Sequence, residues 1–495
     1  MSVIYFMASL IGILHHELWL DESQHWLLAR DSSSLADLIE NTRYEGHPIL
    51  WNVLLFAITR LTLNPFWMQF LHILFSTAVV VLFLKKAPFS WLFKSLFIFG
   101  YFIFFEYNLI SRNYILGILF LFLACAAFKN REKNFIWISI FLAMAVNIHL
   151  MFSVIAFALF LTLLLENIEN RRLLNPRFLI GYLIFGLGML SIILQIQHTN
   201  SSWLLDPINA MPFEERLAKG LGALFKGLIT IPDWRTIHFW NSNFIVNACR
   251  PLSALLALLI YFVPLLLFFK NRKTLYFVYS GLIGTELFFF ITQRAATRFH
   301  GMTFILIIMA LWIEHYYCSE DFRIKKILQL KRFISFKNPI VNSILILQFC
   351  SGIYAYTMDC IYPFTSSKAA VDFIKKEGLA NREIITTTCD GTLISAYLER
   401  KIYFLCDASY QSFCHWDNGC NGSVSREKSL ELLNNFMNSH ENAIFVSYYS
   451  LTGTLKQKVW VDLNNHIRVR LLKKFDENIV DKTSYYVFEI AKIKI

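Results

Sequence analysis

The sequence predicts a polytopic α-helical membrane protein, with about 11 spans plus juxtamembrane helices and an extracytoplasmic α/β domain at its C-terminal end. Three observations carry that expectation. The 495 residues are 56% hydrophobic and only 16% charged, and the mean hydropathy of +0.48 lies well above that of a soluble globule. Long apolar runs recur along the first 357 residues, separated by short basic clusters. From about Asp359 onward the runs give way to alternating short amphipathic helices and strands. The expected domains are therefore 1–357, membrane-embedded, and 358–495, outside the membrane.

The formal charge of +11 would suit a nucleic-acid binder. Its lysines and arginines, however, punctuate apolar runs as cytoplasmic loops do, so membrane lipids are the expected partners and no nucleic acid is. Residues 3–14 resemble a signal-peptide core but lack a basic start. His15, His16 and Glu17 stand where small cleavage-site residues belong, which favours an uncleaved anchor.

In order, the candidate spans lie near 3–20, 66–84, 90–107, 113–128, 134–147, 149–166, 178–196, 252–269, 274–292, 302–317 and 339–357. The run 49–63 decides the topology. If it stays on the outer surface or dips in without crossing, the basic loops at 85–86, 129–133, 171–177, 270–273 and 323–337 all fall on one side, the cytoplasm. The other side then receives Asp21, Glu22, Glu45, His47, the stretch 106–112, His149, the stretch 294–300 and the C-terminal tail. Parity gives an inside N-terminus and an outside C-terminus.

In the tail, SSKAAVDFIKKEGL and SREKSLELLNNFM are amphipathic helices, while EIITTT, IYFLCD, NAIFVSYY, IRVRLLKKF and SYYVFEI are strands. Five of the nine cysteines lie in or near this domain. Cys414 and Cys420 form the nearest local pair for a disulfide. No CxxC repeat supports zinc, and no phosphate-loop or dinucleotide glycine pattern occurs.

Carboxylates and imidazoles gather where the chain first leaves the membrane, which marks a functional site. On a helix, Asp21 and His25 stand one turn apart, with Glu22 and Trp26 on the adjoining stripe. Glu45 arrives just before Gly46, His47 and Pro48, where the glycine permits a sharp turn. Glu106, Arg112 and Tyr114 flank the junction of two apolar runs. They either snorkel to headgroups or bring a guanidinium to a phosphate and an acid to a sugar or metal. His149 marks a helical hairpin, an ordinary place for an interfacial histidine. Arg294, Arg298 and His300 make a cradle for an anion such as a lipid phosphate. Trp203, Trp234 and Trp240 in loop 197–251 form an interfacial belt, or else stack on sugar rings.

Taken together, Asp21-Glu22 after the first span, Glu45-Gly46-His47-Pro48 opening the next apolar helix and Arg112-Asn113-Tyr114 further on resemble the membrane glycosyltransferases of the class C fold. The resemblance covers roughly residues 1–310. It is nearest to the bacterial relatives of protein O-mannosyltransferases and of the enzyme that adds aminoarabinose to lipid A. It implies transfer of a sugar from a polyprenyl-phosphate donor to a glycan, lipid or protein acceptor. That chemistry would take place on the outer, periplasmic face of a bacterial inner membrane.

Asp21 matches the family's first-loop aspartate, a general base or acceptor-orienting group, with Glu22 beside it. Glu45 matches an acid that holds metal or substrate in the aminoarabinose branch. Gly46-His47-Pro48 stands where that branch has a Lys-Pro-Pro type sequence, which leaves open both the acceptor and a divalent metal on Glu45, His47 and His149. His25, Glu45, His47, Glu106 and Tyr114 are the expected substrate-binding residues, and Arg112, Arg294, Arg298 and His300 the phosphate-binding ones. A phosphate leaving group needs a base and cations more than a second acid, so single displacement with inversion is expected. Two alternatives remain: a hydrolase using Asp21 and Glu45, and a non-enzymatic transporter or flippase of lipid-linked glycans that binds headgroups with the same charges.

Overall fold

The computed structural model describes residues 1–43, 45–196, 211–292, 296–317, 337–415, 424–452 and 457–493. The helices are α1 (Ser2–His15), α2 (Leu20–Asp31), α3 (Leu35–Asn41), α4 (Leu50–Thr59), α5 (Phe66–Lys86), α6 (Trp91–Ile98), α7 (Tyr114–Ala127), α8 (Phe135–Val146), α9 (Leu150–Glu169) and α10 (Pro176–Ile196). They continue with α11 (Phe213–Leu228), α12 (Phe244–Ala248), α13 (Arg250–Leu259), α14 (Phe262–Phe268), α15 (Arg272–Thr292), α16 (Thr297–Glu314) and α17 (Lys337–Ile361). The last three are α18 (Ser367–Lys376), α19 (Gly391–Leu398) and α20 (Arg426–Met437).

Among the described residues, seven segments are long and apolar enough to cross a membrane, or eight if α1 and α2 together make one broken span. The 11 expected spans therefore include several shorter pieces. The run 3–20 stops as a helix at His15, because the polar residues that follow break it before α2 begins. The run 90–107 divides into α6 and a π-helix at Tyr101–Glu106. The runs 113–128 and 134–147 are the shorter apolar helices α7 and α8. Within 49–63, α4 has ten residues, so it covers roughly 15 Å of a core about 30 Å thick and does not cross alone.

The chain divides into two compact units. The first comprises Met1–Ile11, Gly46–Trp51 and Leu71–Thr357. Here α10 packs on α8, α8 on α7 and α9, α15 on α9, and α11 on both α15 and α16. Helix α16 is buried almost throughout, from Thr297 to Ile313, and is the core element of this unit. Two glycines bring helices against the π-helical stretch. A Cβ on Gly301 would lie 2.3 Å from the Tyr107 hydroxyl, and one on Gly352 would lie 2.5 Å from the Phe99 carbonyl.

One end of the first unit is laced by ion pairs: Arg131 with Glu166, Arg172 with Glu132, Arg272 and Lys273 with Glu169, and Lys337 with Glu314. The basic loops 129–133, 171–177 and 270–273 thus meet at a common end. Helices α9 and α16 run from that end to the other, 20 and 18 residues away.

The second unit comprises Gly12–Glu45, Asn52–Phe70 and Met358–Ile495. The first loop thus clusters with the chain from Met358 onward, whereas the sequence places it within the membrane-embedded 1–357. The C-terminal domain holds a seven-stranded sheet in the order β3-β2-β1-β4-β7-β6-β5. Its strands are β1 (Ile384–Thr386), β2 (Ile402–Phe404), β3 (Ser409–Gln411), β4 (Asn442–Ser447), β5 (Trp460–Asp462), β6 (Ile467–Phe475) and β7 (Tyr485–Lys492). Strand β1 is parallel to β2 and β4, and the other pairs are antiparallel. Alternation along β6 and β7 turns Val469, Leu471, Phe488 and Ile490 into a core with Ile385, Leu433 and Phe445.

Cys414 pairs with Cys389, not with the nearer Cys420. Sequence proximity failed there because the turn after β1 and the strand end after β3 are what the fold brings together. Cys406 is disulfide-bonded as well, while Cys420 lies outside the described residues.

Candidate functional site

In the second unit the first loop is built onto the C-terminal domain residue by residue. The main chain between α1 and α2 cannot make helical bonds, so side chains satisfy it. The Leu18 amide donates to the Tyr397 hydroxyl at 2.7 Å, and the Leu18 carbonyl accepts from Thr365 at 2.9 Å. The Lys368 amide donates to Glu17 at 3.1 Å. Glu22 accepts from the Trp19 amide at 2.8 Å, closing the first turn of α2 where negative charge suits the helix dipole.

His16, in this loop, sits between two carboxylates. Its Nδ1 is 2.7 Å from Asp359 and its Nε2 is 3.3 Å from Glu22, all three side chains being buried. Burial alone would disfavour the imidazolium, but the charges of Asp359 and Glu22 outweigh it and push the ring well above the usual histidine range. Glu17 is pushed the other way from function as a fixed anion: burial raises it to about 7.

Glu22 is thus a buried positioning group, whereas Asp21 beside it is half-exposed. Gln24, one turn on from Asp21, clips the chain at Cys414. Its Oε1 accepts from the Cys414 amide at 2.8 Å and its Nε2 donates to the Cys414 carbonyl at 2.9 Å. The same Nε2 donates to Glu45 at 2.8 Å. His25 Nδ1 lies 2.8 Å from Asn52. Asp21 and Gln24 share a face of α2, so Glu45 is drawn to the face that carries Asp21. Further along, Arg30 donates to the Ser395 carbonyl and Asp31 accepts from Ser412.

In the first unit the polar residues gather at the end remote from the ion-pair network. Gly46 adopts φ +66°, the sharp turn expected before Pro48. The His47 and His149 rings lie 4.6 Å apart between centroids, tilted by 32°, and His149 and Tyr114 lie 4.9 Å apart, tilted by 45°. The Arg112 guanidinium lies 5.3 Å from the Tyr114 ring centre. Phe299, next to Arg298, packs on His149, and the Arg298 carbonyl accepts from the Tyr107 hydroxyl. Asn113 donates to the Ile148 carbonyl at 2.8 Å, tying the two hairpins together. Glu106 is buried and accepts from the Trp240 indole at 3.0 Å and from Tyr101 at 3.2 Å. This Trp is a specific hydrogen-bond donor and not only part of a belt.

His72 was not expected at this end, and it shapes the stretch that carries Arg112. Its two ring nitrogens reach the carbonyls of Asn108 at 3.0 Å and Arg112 at 2.8 Å. A single histidine inside an apolar run is the signal for it.

His300 lines a small polar cavity of about 70 Å³ with Lys226, Thr230, Asn241, Asn243 and Thr297. Both His300 ring nitrogens are buried without a hydrogen-bond partner. Burial holds the Lys226 ammonium below the usual lysine range. Lys226 is the residue that sequence reasoning missed, because it sits in an amphipathic helix beside the ordinary basic residues Arg216 and Lys219. Arg294 and Trp203 lie outside the described residues.

The metal expectation finds no grouping of three or more ligating side chains among the described residues. His47 and His149 meet as tilted rings. His149 Nδ1 is also engaged by the Met151 amide at 3.1 Å, capping α9. No protein-family model matches the chain, and no curated protein matches it either.

Proposed function

We propose that the chain is an integral membrane glycosyltransferase of the class C type, moving a sugar from a polyprenyl-phosphate donor to a glycan, lipid or protein acceptor. The active side would be the outer face of a bacterial inner membrane. The observation that carries the proposal is the polar end of the first unit. There Arg112, Tyr114, His47 and His149 lie against one another, and His300 and Lys226 line a small polar cavity. Cations and neutral donors set in apolar surroundings suit a departing phosphate, whose charge they stabilise more strongly than water-exposed groups would.

In this mechanism Asp21 takes the proton of the acceptor hydroxyl as its oxygen attacks the anomeric carbon and the bond to phosphate breaks. Glu22 and His16 hold α2 at its first turn. Glu45, fixed by Gln24, orients a sugar hydroxyl. Single displacement inverts the anomeric centre. No metal step is proposed.

The test is purification with co-bound lipid identified by mass spectrometry, followed by transfer assays of wild type and Asp21→Asn. Polyprenyl-phosphate sugar in the wild type, inverted product and lost turnover in the variant are expected. Release of free sugar without a lipid donor would point to hydrolysis. Undiminished lipid movement in Asp21→Asn would favour a flippase.

A further inference from the structure

A second cavity lies at the other, ion-paired end of the first unit, away from every residue given a role above. It encloses about 520 Å³, within the range of small-molecule sites. One wall is apolar, with Phe89 and Phe93 stacked at 4.0 Å between centroids. The other is polar, with Lys270, Asn338 and Asn342 among its lining residues. The cavity is therefore amphipathic, as a lipid headgroup with the first part of its acyl chains would require.

Its electrostatics select the headgroup. Among the described residues the acids on these loops are matched: Glu132 by Arg172, Glu166 by Arg131, Glu169 by Arg272 and Lys273, Glu314 by Lys337. Lys337, the second lysine on the cavity, is thus neutralised by Glu314. Lys270 is half-buried and makes no ion pair among the described residues, so it contributes a net positive charge to the lining. Lys85 and Lys86 at the end of α5 add further surplus charge outside it. A half-buried ammonium beside amide donors, with Phe89 and Phe93 in the same lining, favours a phosphodiester with no compensating positive group.

We propose that this cavity is a binding site for an anionic phospholipid, with the headgroup phosphate on Lys270, Asn338 and Asn342 and acyl chains along Phe89 and Phe93. The inference does not depend on glycosyl transfer. Native mass spectrometry of the full chain, released from mixed micelles holding equal phosphatidylglycerol and phosphatidylcholine, should show phosphatidylglycerol retained about fivefold over phosphatidylcholine. Lys270→Ala should bring the two lipids to parity, and Lys270→Gln should do the same. Asn342→Trp, which fills the recess, should lower retention of both. Lys85→Ala, outside the cavity, should leave the preference intact.

Equal retention by the wild type would overturn the proposal. So would an equal loss in Lys85→Ala and Lys270→Ala, which would mean only a diffuse positive surface. Displacement of phosphatidylglycerol by millimolar inorganic phosphate would also overturn it, by showing a site for the free ion.

Discussion

Asp21 and Glu22 are neighbours in sequence with opposite fates. Glu22 is buried against His16 and the Trp19 amide, and Asp21 remains half-exposed on the face of α2 that carries Gln24. Their substitutions should separate accordingly. Asp21→Asn is expected to cut transfer by roughly 10²- to 10⁴-fold, the usual contribution of a positioned base, with Tm unchanged within error. Glu22→Ala leaves His16 and Asp359 to share one charge fewer in a buried setting, and should cost about 3–5 kcal/mol of stability. A thermal melt beside a transfer assay distinguishes the two. If Asp21→Asn melts early with normal turnover per folded molecule, its role is structural. Lys226 offers a second separation. Lys226→Ala should raise the KM for the lipid donor by about tenfold, the range for one charge-assisted hydrogen bond, and a change in acceptor KM alone would contradict a phosphate contact.

At the scale of elements, α2 owes its position to a strand end fixed by a disulfide. Cys414 clips Gln24 through both main-chain atoms and is bonded to Cys389, 25 residues earlier. Cys389→Ser should therefore speed hydrogen exchange along Leu20–Asp31, with about 3 kcal/mol less stability from the opened loop. Unchanged protection of α2 would mean the clip holds without the bridge. Another element carries a pH dependence. On β7, Glu489 accepts from Arg382 at 2.7 Å and from Arg470 at 2.7 Å. Partial burial opposes its ionisation, yet the two guanidiniums prevail and hold its carboxyl below the usual glutamate range. A lowered folded value means stability that is fully present above the unfolded value near 4.3 and is lost as pH falls through the folded one. Glu489→Gln should accordingly flatten the acid limb of a Tm–pH profile and leave its neutral part lower.

Legibility followed periodicity. The amphipathic helices α18 and α20 and the strands β6 and β7 were readable from their periodic burial, and β4 from its continuous apolar run, buried at five of six positions. The three-residue strands β3 and β5 carry too few residues to show a period, and α19, GTLISAYL, is apolar on all sides. The Asp21, Glu45 and His47 stretch was readable because carboxylates and imidazoles at a membrane exit stand out. His72, Gln24 and Asp359 act through contacts 36 to 390 residues away in sequence, which no local pattern encodes.

For the whole molecule, function depends on which face each end of the helices meets. The ends of α9 and α16 separate the ion-paired loops from the Arg112 and His149 cluster by about 27–30 Å of helix, a bilayer core's thickness. Basic clusters lie at the ion-paired end, and the proposed function requires that end to face the cytoplasm, in line with the positive-inside tendency. The ten residues of α4 are too few to cross alone, and the proposed sidedness of the first loop rests on that. Single cysteines in a background whose native unpaired thiols are replaced, Cys249 and Cys350 being the exposed ones among the described residues, test this directly with a membrane-impermeant maleimide on intact cells. Positions 21 and 298 should label from outside, and positions 129 and 270 only after the membrane is opened. Labelling of 21 and 298 from different compartments would separate the proposed base from the proposed phosphate cradle and end the transferase mechanism. Labelling of both from inside would keep the chemistry but exclude an acceptor on the outer face. The lipid site at Lys270 is independent of either outcome.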